Sequence, residues 1–338
     1  MQTIGIRFVP RFVQRKPMRL NIASALPDSL ADVPATALAD ELGGPTLFDL
    51  RKPKAPPLVV SVLLHGNEVS GWDAVRGLLY EFRSISSLLF LANLDAAREG
   101  VRALPNQEDF NRVWEGGETS EAAVAAEVTA RVADADPYVA VDIHNNTGRN
   151  PPYAVVCRTD RKTLAFAGAF AERALMASQP GGFQTRRFTR FCTAVTIEVG
   201  TPDDPDSTTR AAEYVAELLA SYPRPPASTR TPYELRLFET VARVLVAERT
   251  EIEPAMQRFN FRRAPAGTGL TRRGPLVARS ADGADISDEY FTVVDGMAVL
   301  TRPAILAMYT RDLESARRDC LCYFLEPLDP SAPMPDAI

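Results

Sequence analysis

Two short stretches carry the residues best suited to chemistry. In "HGNE", His65 and Glu68 stand three positions apart, directly after the apolar run "LVVSVLL" (58–64). The only other histidine, His144, follows the apolar run "YVAVDI" (138–143) in the same way. Two imidazoles and a carboxylate are a ligand set for catalytic zinc, which keeps its fourth position for water. A strand-end histidine is often only a hydrogen-bonded structural residue, and an acid at Glu68 also suits the positive end of a following helix. The H-x-x-E spacing alone decides little. That both histidines of the chain end apolar runs favours metal binding by His65, Glu68 and His144, with Asp142 either a carboxylate behind His144 or a structural one. Glu198 closes a third run, "TAVTIEV" (193–199). An acid there is costly without a purpose. Beside zinc-activated water it can take a proton and hand it to a leaving group; the ordinary alternative is an ion pair with an arginine.

These residues need elements to bring them together. The runs 58–64, "SLLFLANL" (87–94), 138–143 and 193–199 are nearly continuous in apolar residues, as strands buried on both faces should be. Helix-compatible segments lie between them. "SGWDAVRGLLYEFR" puts Trp72, Val75, Leu78, Leu79 and Phe82 on one stripe, and "ETSEAAVAAEVTARVAD" has Ser120 as its expected N-cap. "TLAFAGAFAERALMA" and "TTRAAEYVAELLASY" read as two more helices. Alternating strands and helices predict an α/β domain with a mostly parallel sheet, whose carboxyl ends converge on one crevice. "SYPRPPASTRTP" (221–232) reads as a linker between a catalytic domain at 1–225 and a smaller β-rich domain at 226–338. The latter's strands are expected in "FETVARVLVAE", "PLVARSADG", "YFTVVDGMAVLTR" and "CLCYFLEPL", with one helix near 304–318. The sequence shows no internal repeat.

At 338 residues the chain can bury a substantial core, and its 24% charged content is that of a globular protein. A net charge of −5 gives no general attraction to nucleic acid or to an anionic membrane, so neither is expected as a partner. No apolar stretch is long enough to span a bilayer, which takes about 20 residues. Four cysteines without a C-x-x-C pair predict reduced thiols, and Cys157 and Cys192 are expected to be inert. The basic start, residues 1–17, lacks the apolar core of a signal peptide, and Met18 is a second candidate start. A cytoplasmic protein is the expectation.

"HGNEVSG", "DFNRVW", "DIHNNTGRNPPY" and "TIEVG" follow one another in the order and context of the aspartoacylase/succinylglutamate desuccinylase family, which this chain resembles over about residues 45 to 225. The family is related to zinc carboxypeptidases of the carboxypeptidase A type. The resemblance implies a carboxypeptidase-like, mostly parallel mixed sheet with flanking helices, and a C-terminal β domain that narrows the entrance. It implies one Zn2+ per chain on His65, Glu68 and His144, with Glu198 as general base and acid. Asn111 and Arg112 would line the substrate pocket, and Arg102 would polarise the scissile carbonyl. An arginine before the catalytic glutamate would grip a substrate carboxylate, with Arg186, Arg187 and Arg190 all open as choices. "AILAMYTRDLESARRD" resembles the tail that brings a tyrosine to the pocket, here Tyr309. Guanidinium groups hold carboxylates through paired hydrogen bonds, which supports these roles. Asp109 is expected to orient the "DFNR" loop. "NNTGRNPPY" could put its asparagines against substrate or only shape the loop around His144.

The implied activity is hydrolysis of the amide of a small, acidic N-acyl amino acid. Two rivals remain at this point: a zinc carboxypeptidase acting on peptides, which needs an open groove, and a non-catalytic zinc- or ligand-binding protein. The presence of Glu198, Asn111 and Arg112 argues against the second, since holding a metal requires none of them.

Overall fold

The apolar runs form the centre of one large mixed sheet. The structure, a computed structural model, describes residues 17–177, 181–226 and 234–329. Residues 1–16 and the later part of the expected linker lie outside the described residues, so the choice of start does too. In chain order the strands of the first part are β1 (Asn21–Ala23), β2 (Thr46–Leu50), β3 (Leu58–Val62), β4 (Ser87–Leu91), β5 (Val139–His144), β6 (Tyr153–Val156), β7 (Arg173–Met176) and β8 (Ala194–Glu198). Then come β9 (Arg236–Val246), β10 (Glu251–Ile252), β11 (Arg263–Ala264), β12 (Thr271–Arg273), β13 (Leu276–Arg279), β14 (Phe291–Val294), β15 (Met297–Leu300), β16 (Ala304–Ala307) and β17 (Cys322–Leu328).

The main sheet runs β1-β2-β4-β3-β5-β8-β6-β7-β9-β17-β16-β11, with β13 also on β9. β4, β3, β5 and β8 are mutually parallel, and so are β6, β7 and β9; the β8–β6 and β2–β4 pairs are antiparallel. β9 pairs with β7 on one side and with β17 on the other, so the sheet continues from the first part of the chain into the C-terminal part.

Strand alternation explains why the central runs are apolar throughout. Leu58, Val60, Val62, Val139, Val141 and Ile143 pack on one face, against Trp72 and Val75 of helix Ser70–Val75 and Tyr214 and Leu218 of helix Ser207–Ser221. Val59 and Ala140 face the other side, against Val124, Val128 and Val132 of helix Ser120–Asp134 and Phe188 of helix Gln184–Phe188. In a sheet covered on both faces, the strand ends are where polar side chains can reach a cavity. The C-terminal part has its own core of Ala242, Val244, Leu270, Leu306, Tyr309 and Phe324. A mixed cluster of Tyr153, Leu175, Phe183, Phe238 and Phe261 welds it to the first part.

Several expectations need correcting. Thr119, not Ser120, caps the long helix, its hydroxyl accepting from the Ala122 amide. "TLAFAGAFAERALMA" is helical only to Phe170; Arg173–Met176 becomes β7, with Ala174 and Leu175 paired to Ala154 and Val155. Ala304–Ala307 is strand β16 on β17, and helix begins only at Leu313. In both places a neighbouring strand edge decides against alanine's helix propensity. Residues 70–84 form two short helices joined by a 3-10 turn rather than one continuous helix. β2, β6 and β7 were not among the strands expected.

Gly66, in the turn after β3, is required by close packing. Its backbone lies in no glycine-specific region; the positive φ of this turn is on Leu63 (φ 60). A Cβ on Gly66 would instead sit 2.2 Å from the backbone of Ala96 and Ala97, in helix Leu94–Arg98. Backbone cannot swing aside as a side chain can, so Gly66→Ala is expected to cost about 1–3 kcal/mol of stability in urea unfolding. Gly77→Ala, with nothing within 4 Å of the new methyl, is the control and is expected to leave stability within about 0.5 kcal/mol.

Candidate active site

The strand ends deliver four side chains to one spot. β3 leads through Leu63 and Leu64 to His65, and the turn that follows closes with the Glu68 amide on the His65 carbonyl at 3.1 Å. β5 ends in His144, which lies directly beside Glu198 of β8 in the parallel register. All four are buried, with 3–7% exposure. Glu68 is the centre: one carboxylate oxygen is 2.7 Å from His65 Nδ1 and the other 2.7 Å from His144 Nδ1. The second oxygen also accepts from the Asn145 amide at 3.1 Å.

Each ring is held from behind. His65 Nε2 lies 2.9 Å from Asp109 Oδ1, and His144 Nε2 lies 2.8 Å from Asp142 Oδ2. A carboxylate on Nε2 fixes the proton there and turns the Nδ1 lone pair inward, the arrangement found behind metal-bound imidazoles. Arg102 completes the His65 side, donating to Asp109 Oδ2 through Nε at 3.0 Å and Nη2 at 2.8 Å.

The charges follow from this packing. Burial alone would raise the Glu68 carboxyl, but the two imidazoles reverse that and hold it well below the usual carboxylate range. Burial likewise opposes a charged His144, and Asp142 and Glu68 outweigh it, raising the ring well above its ordinary value. Asp109 is held well below its usual range, because His65 and Arg102 outweigh its burial. A 2.7 Å approach of an imidazole nitrogen to a carboxylate oxygen calls for positive charge between them, from protons or from a metal ion. His65, Glu68 and His144 place their ligand atoms within 4.8 Å of one another and could hold a metal. The donor set of two nitrogens and a carboxylate fits zinc. Glu198 differs from the other acids. Its Oε2 is buried with no hydrogen-bond partner, and burial pushes its carboxyl up to about 8. Tyr153, opposite it across β6 and β8, is also buried with an unpartnered hydroxyl.

A cavity of about 870 Å³ opens over these groups. His65, Glu68, His144, Glu198, Arg102, Asn111 and Arg112 line it, so the structure brings together seven of the metal-ligand, catalytic and substrate candidates singled out from sequence. Asn111 is held through its amide oxygen, Oδ1 accepting from the Gln184 amide at 2.9 Å, and its Nδ2 lies 3.3 Å from His144 Nε2. The other four candidates are elsewhere. Arg187 and Arg190 turn to Glu115, at 3.9 and 2.7 Å, and do not line the cavity. Arg186 is not on its wall either. Tyr309 is fully buried in the C-terminal core, its hydroxyl 2.7 Å from the Leu270 carbonyl and 3.1 Å from that of Glu253. Its neighbours Met308 and Thr310 line the cavity in its place.

Both asparagines after His144 line the cavity. Asn145 shapes the loop, with Oδ1 on the Ser70 amide and Nδ2 on Ser70 Oγ and the Gly200 carbonyl. Asn146 lines the cavity with its Nδ2 unpartnered. All four cysteines are unpaired, and burial pushes the Cys157 and Cys192 thiols up to about 12. The sequence reading missed Asp319 and the part of Thr240, Met308 and Tyr323 in the wall. No local signal marks them, since each meets the site only through the C-terminal strands.

The fold and site define a mixed α/β protein with a buried His-Glu-His group, able to hold a metal, at the carboxyl ends of parallel strands. The model of the succinylglutamate desuccinylase/aspartoacylase catalytic domain matches residues 54–222, half of the chain, and the chain belongs to that family of deacylases. Solved structures agree on the fold. Succinylglutamate desuccinylase from Chromobacterium violaceum is 22% identical, with 74% of this chain and 85% of that one covered at a TM-score of 0.54. For the Vibrio cholerae succinylglutamate desuccinylase the identity is 13%, the coverage 81% and 82%, and the TM-score 0.59. Murine aminoacylase 3 is 13% identical, with 82% and 97% covered at a TM-score of 0.58. No curated protein matches the sequence. Among the described residues no helix is long and apolar enough to cross a membrane.

The carboxylates behind the rings provide a direct test of metal binding. Asp142→Asn keeps the shape but removes the charge that orients His144, and zinc affinity is expected to fall about 10–100-fold in a competitive chelator titration. An unchanged affinity would show that Asp142 serves the fold alone.

Proposed function

We propose that the chain is a zinc-dependent hydrolase that cleaves the amide bond of an N-acylated amino acid or a similar small amide. The observation that carries this reading is the unpartnered oxygen of buried Glu198, beside the His65–Glu68–His144 group in the same cavity. An acid left unsatisfied in the interior is costly, and a proton-transfer role explains its placement. His65, Glu68 and His144 would hold the ion. When bound, zinc supplies Lewis acidity, polarising a carbonyl and lowering the pKa of water to about 7. Glu198 takes the proton from the attacking water and returns it to the departing nitrogen. Arg102 keeps Nη1 free of Asp109 and within 3.5 Å of Glu68 Oε1, next to the ligand group, where it can donate to the developing oxyanion. Asn111 and Arg112 form part of the substrate wall.

We take residues 1–225 as the catalytic unit and 226–338 as the unit that closes its cavity. Thr240, Met308, Thr310, Ser315 and Tyr323 of the second all stand in the wall. A wall built from both ends of the chain favours a small substrate over a long peptide, and so a deacylase over a carboxypeptidase.

The experiment is free-amine release by zinc-loaded and chelator-stripped protein, offered N-acetyl and N-succinyl amino acids and short peptides. Metal-dependent release from acylated amino acids is expected; release from peptides alone would move the protein to the carboxypeptidase side. Glu198→Gln is expected to keep its zinc and lose about 10²–10⁴-fold in kcat. Loss of zinc, or a near-normal rate, in that variant refutes the role given to Glu198.

A further inference from the structure

Among the described residues two arginines line the cavity, and each already holds a carboxylate of the chain itself. Arg102 is taken by Asp109. Arg112 donates through Nη1 to the Asn111 carbonyl at 2.8 Å and through Nη2 to Asp319 Oδ2 at 2.7 Å. Asp319 comes from 207 positions away and is itself clamped. Arg243 of β9 donates through Nη2 to its Oδ1 at 2.9 Å and to its backbone carbonyl at 2.7 Å. Asp319 stands in the cavity wall beside Arg112.

A guanidinium selects a substrate carboxylate by offering it two N–H groups in a fork. Here each terminal nitrogen of Arg112 already donates once, Nη1 to a carbonyl and Nη2 to Asp319. A second carboxylate brought to the same guanidinium would meet Asp319 at close range, and like charges so placed oppose binding. The rest of the segment sharpens the effect: Asp312, Glu314, Ser315 and Cys320 stand in the wall with Asp319.

We propose that Asp319 is a specificity-determining residue. It occupies the place of a substrate carboxylate at Arg112, so that the enzyme prefers acylated amino acids with no carboxylate beyond the amino acid's own. This role presupposes the deacylase reading above, and it replaces the acidic substrate expected from the sequence with a neutral one.

The test compares N-acetylglutamine with N-acetylglutamate and N-succinylglutamine on the zinc-loaded full chain, by steady-state kinetics and by calorimetric binding. The first compound is expected to exceed both others by about tenfold or more in kcat/KM, with the difference in KM rather than kcat. Asp319→Asn should narrow at least one of the two ratios by about tenfold. Asp319→Glu keeps the charge and should keep the wild-type order. A wild type that handles either acidic compound as well as the neutral one overturns the proposal. So does an Asp319→Asn protein with both ratios unchanged, or an equal loss on all compounds in both variants, which would mark a purely structural role. If none of the compounds is hydrolysed, the deacylase reading fails, and the same ratios measured as binding constants decide the role of Asp319.

Discussion

The structure is organised around one buried carboxylate. Glu68 sits between two imidazoles at 2.7 Å from each, with 4% of its surface exposed. Burying a charge costs several kcal/mol unless it is paired and hydrogen-bonded, so every element that reaches Glu68 has to bring compensation. His65 brings Asp109 behind it, and Asp109 brings Arg102; His144 brings Asp142. The result is a chain of alternating charge about one point, assembled from the ends of β3 and β5 and the loop that carries Arg102 and Asp109. A divalent cation between the three inner groups would serve the same balance.

The rest of the fold serves the rigidity of that arrangement. Helices on both faces of the sheet pin β3, β5 and β8, so the ends of these strands have little freedom to drift. Glu198, held in register with His144, keeps one buried oxygen without a hydrogen-bond partner. Burial there favours its neutral form.

The C-terminal part is more than a cover. β9 runs along β7, and the segment after β16 folds back over the cavity, bringing Asp319 to Arg112 and Arg243. The same segment sends Tyr309 into its own core instead of into the cavity. The chemistry of the site thus comes from the first part of the chain, whereas the shape and charge of much of the substrate wall come from the second.

Much of the first part was legible in the sequence, because its signals are local. A strand covered on both faces must be continuously apolar, so a histidine or glutamate at its end stands out, and His65, Glu68, His144 and Glu198 are all such residues. Parallel strands place their carboxyl ends together, which takes those four residues to one crevice without further information. What the sequence could not decide is which charge meets which. Arginine and aspartate side chains are long or exposed enough to choose among several partners, and the partner is set by how distant segments pack. Glu115 takes Arg190, Asp319 takes Arg112, and a strand edge turns the alanine-rich residues 173–176 from helix to strand. Residue type and strand-end position determined the reactive centre; only tertiary packing determined which cations were left for a substrate, because ion pairs between segments far apart in the chain exist only once the chain has folded.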